Sequence, residues 1–149
     1  MRIALGSDHA GVKLKAEVKQ VLDELNVAYK DFGTASEASV DYPDYAFQAA
    51  AAVAAGNFDR GILICGTGVG MVIAANKIHG VRAAQVIDPE GARLSREHND
   101  ANILALGARL TSRGPTREIV KTFLNTSFAG GRHKRRVDKI IALENSNSR

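Results

Sequence analysis

The run Gly61-Ile62-Leu63-Ile64-Cys65 passes directly into Gly66-Thr67-Gly68-Val69-Gly70. An unbroken apolar stretch that ends at a glycine turn suits a strand buried on both faces. Such strands belong to parallel sheets covered by helices on each side. The rest of the chain supplies the partners. Residues 2–6 read as a strand entering the turn Ser7-Asp8-His9-Ala10-Gly11, and Leu14, Val18, Val21, Leu22 and Leu25 then recur at helical spacing. Residues 28–32 form a second short strand, and Asp41-Tyr42-Pro43-Asp44 has the chemistry of a helix start before the alanine-rich stretch 46–55. After the glycine loop the pattern predicts a helix to about residue 77 and a strand at 81–87. A helix at 89–97 and a strand at 102–106 come next, then helices at 115–124 and about 133–143, ahead of a polar tail. This alternation predicts a three-layer, Rossmann-like α/β sandwich around a five-stranded parallel sheet. The 149 residues are expected to form one domain.

Composition narrows the class. The single cysteine, Cys65, allows no internal disulfide and fits a reducing compartment, so the expected location is the cytoplasm. The apolar start is too short for a signal peptide, and no stretch nears the roughly 18 apolar residues of a membrane helix. A formal net charge of +4, with basic residues gathered in Arg132-His133-Lys134-Arg135-Arg136, favours an anionic partner. Nucleic acid is disfavoured, because the basic run is short and has no aromatics interleaved with it.

In open parallel sheets ligands bind beyond the carboxyl ends of the strands, which draws attention to Ser7-Asp8-His9 and to the segment from Cys65 to Gly70. Backbone N–H groups of a glycine turn can converge on one concavity. A thiol there meets the positive end of the following helix, a setting in which reactive thiolates occur. Such a thiolate could take a proton from the carbon beside a carbonyl while the loop amides hold the developing oxyanion. The plainer reading is a buried structural cysteine. Two sharper motifs fail. A Cys-x5-Arg phosphatase loop needs Arg where Met71 stands, and a G-x-G-x-x-G dinucleotide loop begun at Gly66 needs Gly at that same position.

Asp8-His9 and Glu97-His98-Asn99-Asp100 are both expected at the sheet edge that carries Cys65, where an imidazole could move a proton near neutral pH. His79 and His133 have no comparable context. Arg132 and Arg136 share a helical face and suit a phosphate, and Arg109 is a further candidate. The histidines lack zinc-site spacing, so no metal is expected.

These residues together resemble the ribose-5-phosphate isomerase B family, within the wider group that includes galactose-6-phosphate isomerase subunits. The likeness covers about residues 2–143. It is carried by Gly6-Ser7-Asp8-His9-Ala10-Gly11, Asp41-Tyr42-Pro43, residues 64–70, Ala74-Ala75-Asn76-Lys77, residues 95–102 and Gly130-Gly131-Arg132-His133. The resemblance implies Cys65 as the base between C1 and C2, Gly66, Gly68, Val69 and Gly70 as an amide cradle, and Thr67 as a hydroxyl aiding proton movement at O1 and O2. It implies His98 as the acid that opens the sugar ring, and Asp8, Asn99 and Tyr42 as sugar contacts. His9, Arg109, Arg132 and Arg136 are implied as phosphate ligands. One branch of the family replaces the cysteine by a Glu at the position of Met71; Cys65 with Met71 fits the cysteine branch.

The implied enzyme is an aldose–ketose isomerase of the pentose phosphate pathway. It converts ribose 5-phosphate and ribulose 5-phosphate through a cis-enediolate, without cofactor. It is expected as a homodimer or dimer of dimers with sites shared between subunits. The alternatives are the same chemistry on allose 6-phosphate, galactose 6-phosphate or a four-carbon sugar phosphate, or a phosphate- or nucleotide-binding module with an inert cysteine.

Overall fold

In a computed structural model, which describes residues 1–111 and 115–147, the apolar run is the central strand of the sheet. The strands are β1 (Arg2–Ser7), β2 (Ala28–Asp31), β3 (Arg60–Cys65), β4 (Ala83–Gln85) and β5 (Ile103–Gly107). All pairs are parallel, in the order β2-β1-β3-β5-β4. With a side-chain period of two, each strand feeds two cores. Ile3, Leu5, Ile62, Ile64, Leu104 and Leu106 face helices α1 (Val12–Glu24), α4 (Pro89–Asn99) and α6 (Thr116–Asn125). Ala4, Leu63, Cys65, Ile103 and Ala105 face α2 (Tyr42–Ala54) and α3 (Val69–Ala75). Fully burying one Leu or Ile contributes about 1.5–3 kcal/mol, so the two clusters supply most of the drive for the three-layer arrangement.

Element boundaries differ from the sequence reading where side chains take over backbone groups. The fourth strand is three residues long rather than seven. Asn76 bonds both the N–H and the C=O of Ala83, and Asn102 accepts from the Arg82 N–H, which ends the ladder early. On the far side Asp88 caps α4 through the Gly91 N–H. Helix α3 stops at Ala75, and the chain beyond it closes turns, with Lys77 and Ile78 N–H groups donating to Ala74 and Ala75 carbonyls. A short helix α5 (Ala108–Thr111), not foreseen, leads out of β5. The last helix, α7 (Gly131–Asn147), starts earlier and runs further than 133–143; the end of the polar tail lies outside the described residues.

Candidate active site

The chain leaves β1 for α1 on one face and leaves β3 for α3 on the other, so a crevice opens between the two loops. Cys65 is the last residue of β3 and only 5% exposed. The Gly68 N–H donates to its Sγ at 3.1 Å. That aim depends on a left-handed turn at Gly68, where φ is +81° and a Cβ would press on the β5 backbone. The loop is held from three sides. Gln85 Nε2 donates to the Thr67 carbonyl at 2.7 Å, and the Arg109 N–H donates to the Gly66 carbonyl at 2.9 Å. From below, Gly107 lets the Thr67 backbone approach so closely that a Cβ there would lie 2.5 Å from it. Sequence reading missed Gln85, whose role exists only because β4 ends beside the loop.

Of the expected amide cradle, two N–H groups are turned onto the loop's own side chains: Gly68 onto Cys65 Sγ, and Val69 onto Thr67 Oγ1 at 3.3 Å. Tyr42 lies against Gly70, with its ring 2.7 Å from where a Cβ would stand. The Arg109 guanidinium lies over Gly66. Across the crevice Asp8 is 6% exposed, and its Oδ1 accepts from the Gly11 N–H while its own N–H donates to the Ile64 carbonyl. His9 Nδ1 accepts from the Val40 N–H at 3.1 Å, which leaves the neutral ring's proton on Nε2. Asp8, His9, Tyr42, Cys65, Thr67, the loop glycines and Arg109 therefore meet at one edge of the sheet.

His98 and Asn99 do not join them, which corrects the expectation that residues 97–100 share the Cys65 edge. Helix α4 carries the chain back from the carboxyl end of β4 to the amino end of β5. There the Asn102 carbonyl accepts from the N–H of Gly61, at the start of β3. Gly61 and Cys65 are separated by roughly 13 Å of extended strand. Helix α7 begins at the same edge, where the Ala129 N–H donates to the Glu97 carbonyl. Arg132 and Arg136 belong to this second group. So does His133, which the sequence reading passed over. Its ring stacks on His98, with centroids 4.1 Å apart and planes 11° apart. Burial, then the charges of His98, Arg132 and Arg136, hold the His133 imidazole below its usual range. A cavity of about 800 Å³ opens beside Asn99, between α7 and the segment from Asn76 to Ala84.

The profile of the Ribose/Galactose Isomerase family matches residues 3–140. The chain belongs to that family. It is 50% identical over 143 residues to ribose-5-phosphate isomerase B of Escherichia coli, covering 96% of each chain. The Clostridium thermocellum ribose-5-phosphate isomerase B structure superposes with a TM-score of 0.96, at 51% identity, over 99% of this chain and 100% of that one. The Mycoplasma genitalium enzyme, solved with bound ribulose 5-phosphate, superposes with a TM-score of 0.93 at 43% identity, over 98% of this chain and 97% of that one. Met71, a residue of α3, is fully buried and carries no ionisable group. Among the described residues, no three His, Cys, Asp or Glu side chains are grouped to hold a metal ion, and no helix is long and apolar enough to cross a membrane.

Proposed function

We propose that the protein interconverts ribose 5-phosphate and ribulose 5-phosphate, with Cys65 as the base. The observation that carries this reading is the Cys65 sulfur, oriented by the Gly68 N–H at the sheet edge that also holds Asp8, His9, Tyr42, Thr67 and Arg109. The ligand in the Mycoplasma genitalium structure supports the choice of sugar. His98 gives a proton to the ring oxygen as the bond from C1 to that oxygen breaks, and the C1 hydroxyl gives its proton to solvent water to form the aldehyde. Cys65 then takes the C2 proton. The loop holds the cis-enediolate, the Thr67 hydroxyl relays a proton from O2 to O1, and Cys65 returns its proton to C1. Arg109, His9, Arg132 and Arg136 bind the phosphate, away from the reacting carbons, so their binding energy orients the sugar.

The two residue groups lie at opposite ends of one sheet, which supports a site completed by a second copy. Helix α3 runs between those ends and exposes Val69 and Ile73, one turn apart. A two-fold axis crossing this face packs α3 on its mate in antiparallel fashion, bringing the Cys65 loop of each copy towards the amino edge of the other. A cytoplasmic location belongs to the same reading, because the base must remain a free thiol.

The decisive assay is ribulose 5-phosphate formation by the wild type beside Cys65→Ala, with chelator present and allose 6-phosphate in parallel. Loss of the base should lower kcat by about 10²–10⁴-fold with KM changed only a few-fold. Near-normal turnover in the variant would remove Cys65 from the chemistry. Wild-type turnover of allose 6-phosphate alone would keep the mechanism and change the substrate.

A further inference from the structure

His133 stands in the first turn of α7, and its place is set by backbone rather than by bulk. The Ala129 N–H is tied to the Glu97 carbonyl, the residue next to His98. The chain then turns through two consecutive left-handed glycines, Gly130 at φ +66° and Gly131 at φ +54°, and the His133 N–H closes onto the Gly130 carbonyl at 3.0 Å. This turn lays one imidazole flat on the other. The charged groups that face the pair include Glu90 and Glu97 from α4 and Arg132 and Arg136 from α7; both carboxylates are themselves engaged by Arg93.

Two imidazolium rings stacked 4.1 Å apart repel, so a charge on one ring disfavours a charge on the other. Burial, His98 itself and the Arg132 and Arg136 charges disfavour a proton on His133. A stacked face also removes the freedom of the His98 ring to rotate out of line. A general acid needs both things: a proton, and an edge that points where the proton must go.

We propose that His133 is a positioning residue for His98, a flat partner that fixes the plane of the His98 ring. The proposal rests on the reading of His98 as the ring-opening acid. The lowered affinity of His133 for a proton accords with this division of labour.

The test compares full-length wild type, His98→Ala, His133→Ala and His133→Phe. It measures kcat and KM for ribose 5-phosphate across pH, and the ¹⁵N titration of the His98 ring by NMR. His133→Ala should lower kcat by about 10–100-fold with KM within about twofold, and should move the limb on which kcat falls as pH rises. Phenylalanine restores the flat partner without a proton site, so His133→Phe should recover most of kcat. The His98 titration should move in His133→Ala. Full activity in His133→Ala beside an inactive His98→Ala would overturn the positioning role while leaving the acid in place. A folded His133→Phe as slow as His133→Ala would overturn it too, because a nitrogen of His133 would then be at work. An active His98→Ala would instead defeat the acid assignment itself. Should the wild type turn over no sugar phosphate, an unchanged His98 titration in His133→Ala would still dispose of the pairing, and a moved one would uphold it.

Discussion

A methyl group added at Gly107 would sit 2.5 Å from the carbonyl carbon and oxygen of Thr67. Backbone atoms cannot step aside as a side-chain end can, so the loop that carries Thr67 must lift. We expect Gly107→Ala to cost about 1–3 kcal/mol in urea unfolding, as overpacked sites do, and to slow turnover as well, because the lift disturbs the Gly68 N–H aimed at Cys65. Unchanged stability together with unchanged kcat would show that the close approach has no bearing on the site. The loop itself was legible from sequence, since a strand, a cysteine and three glycines are adjacent in the chain. Gln85 and His133 were not. Each gains its role from a contact with a distant segment, and neither residue type in its own neighbourhood signals one.

Among the elements, the end of β2 shows how the segment beside β1 is fixed. Lys15 of α1 is buried and bonds Asp31 and the Thr34 carbonyl, while Lys19 also reaches Asp31. Burial by itself would raise the Asp31 carboxyl, but hydrogen bonds from Lys19, the Gly33 N–H and Lys15 outweigh it, and the group is held below its ordinary value. A carboxylate depressed in this way contributes stability that is present above its unfolded value, about 3.9, and lost as pH falls through the lower folded one. Asp31→Ala leaves the Lys15 ammonium buried without its carboxylate, so it should lower stability near neutral pH by about 3 kcal/mol and flatten this part of the acid limb. Urea titrations at pH 7 and pH 3 measure both effects; equal stability of the two proteins at pH 7 would count against the pair. Helix and strand order was readable from periodicity. The ends of β4 were not, because side-chain bonds from Asn76 and Asn102 decide where its ladder stops, and the start of α7 was not, because it is set by the left-handed turn at Gly130 and Gly131.

For the molecule as a whole, the question is how the two edges meet. Sequence order placed residues 97–100 near a strand, but the direction in which α4 returns to β5 put them at the amino edge, and a list of strands and helices carries no such direction until the topology is drawn. The proposed two-copy site makes a quantitative prediction. Cys65→Ala and His98→Ala homodimers should each be nearly inactive. When their subunits are exchanged at equal amounts, half of the dimers become mixed, and each mixed dimer holds one site free of both substitutions, so roughly a quarter of wild-type activity should return. Exchange confirmed by native mass spectrometry with no recovered activity would place the whole site in one copy.

The separation of the two edges also has a genetic consequence. After duplication of such a gene, one daughter could lose the residues of its carboxyl edge and the other those of its amino edge. Neither product would work alone. Their pair would keep one intact site of two, and a mutation in either gene would then expose the mutual dependence that a single gene conceals.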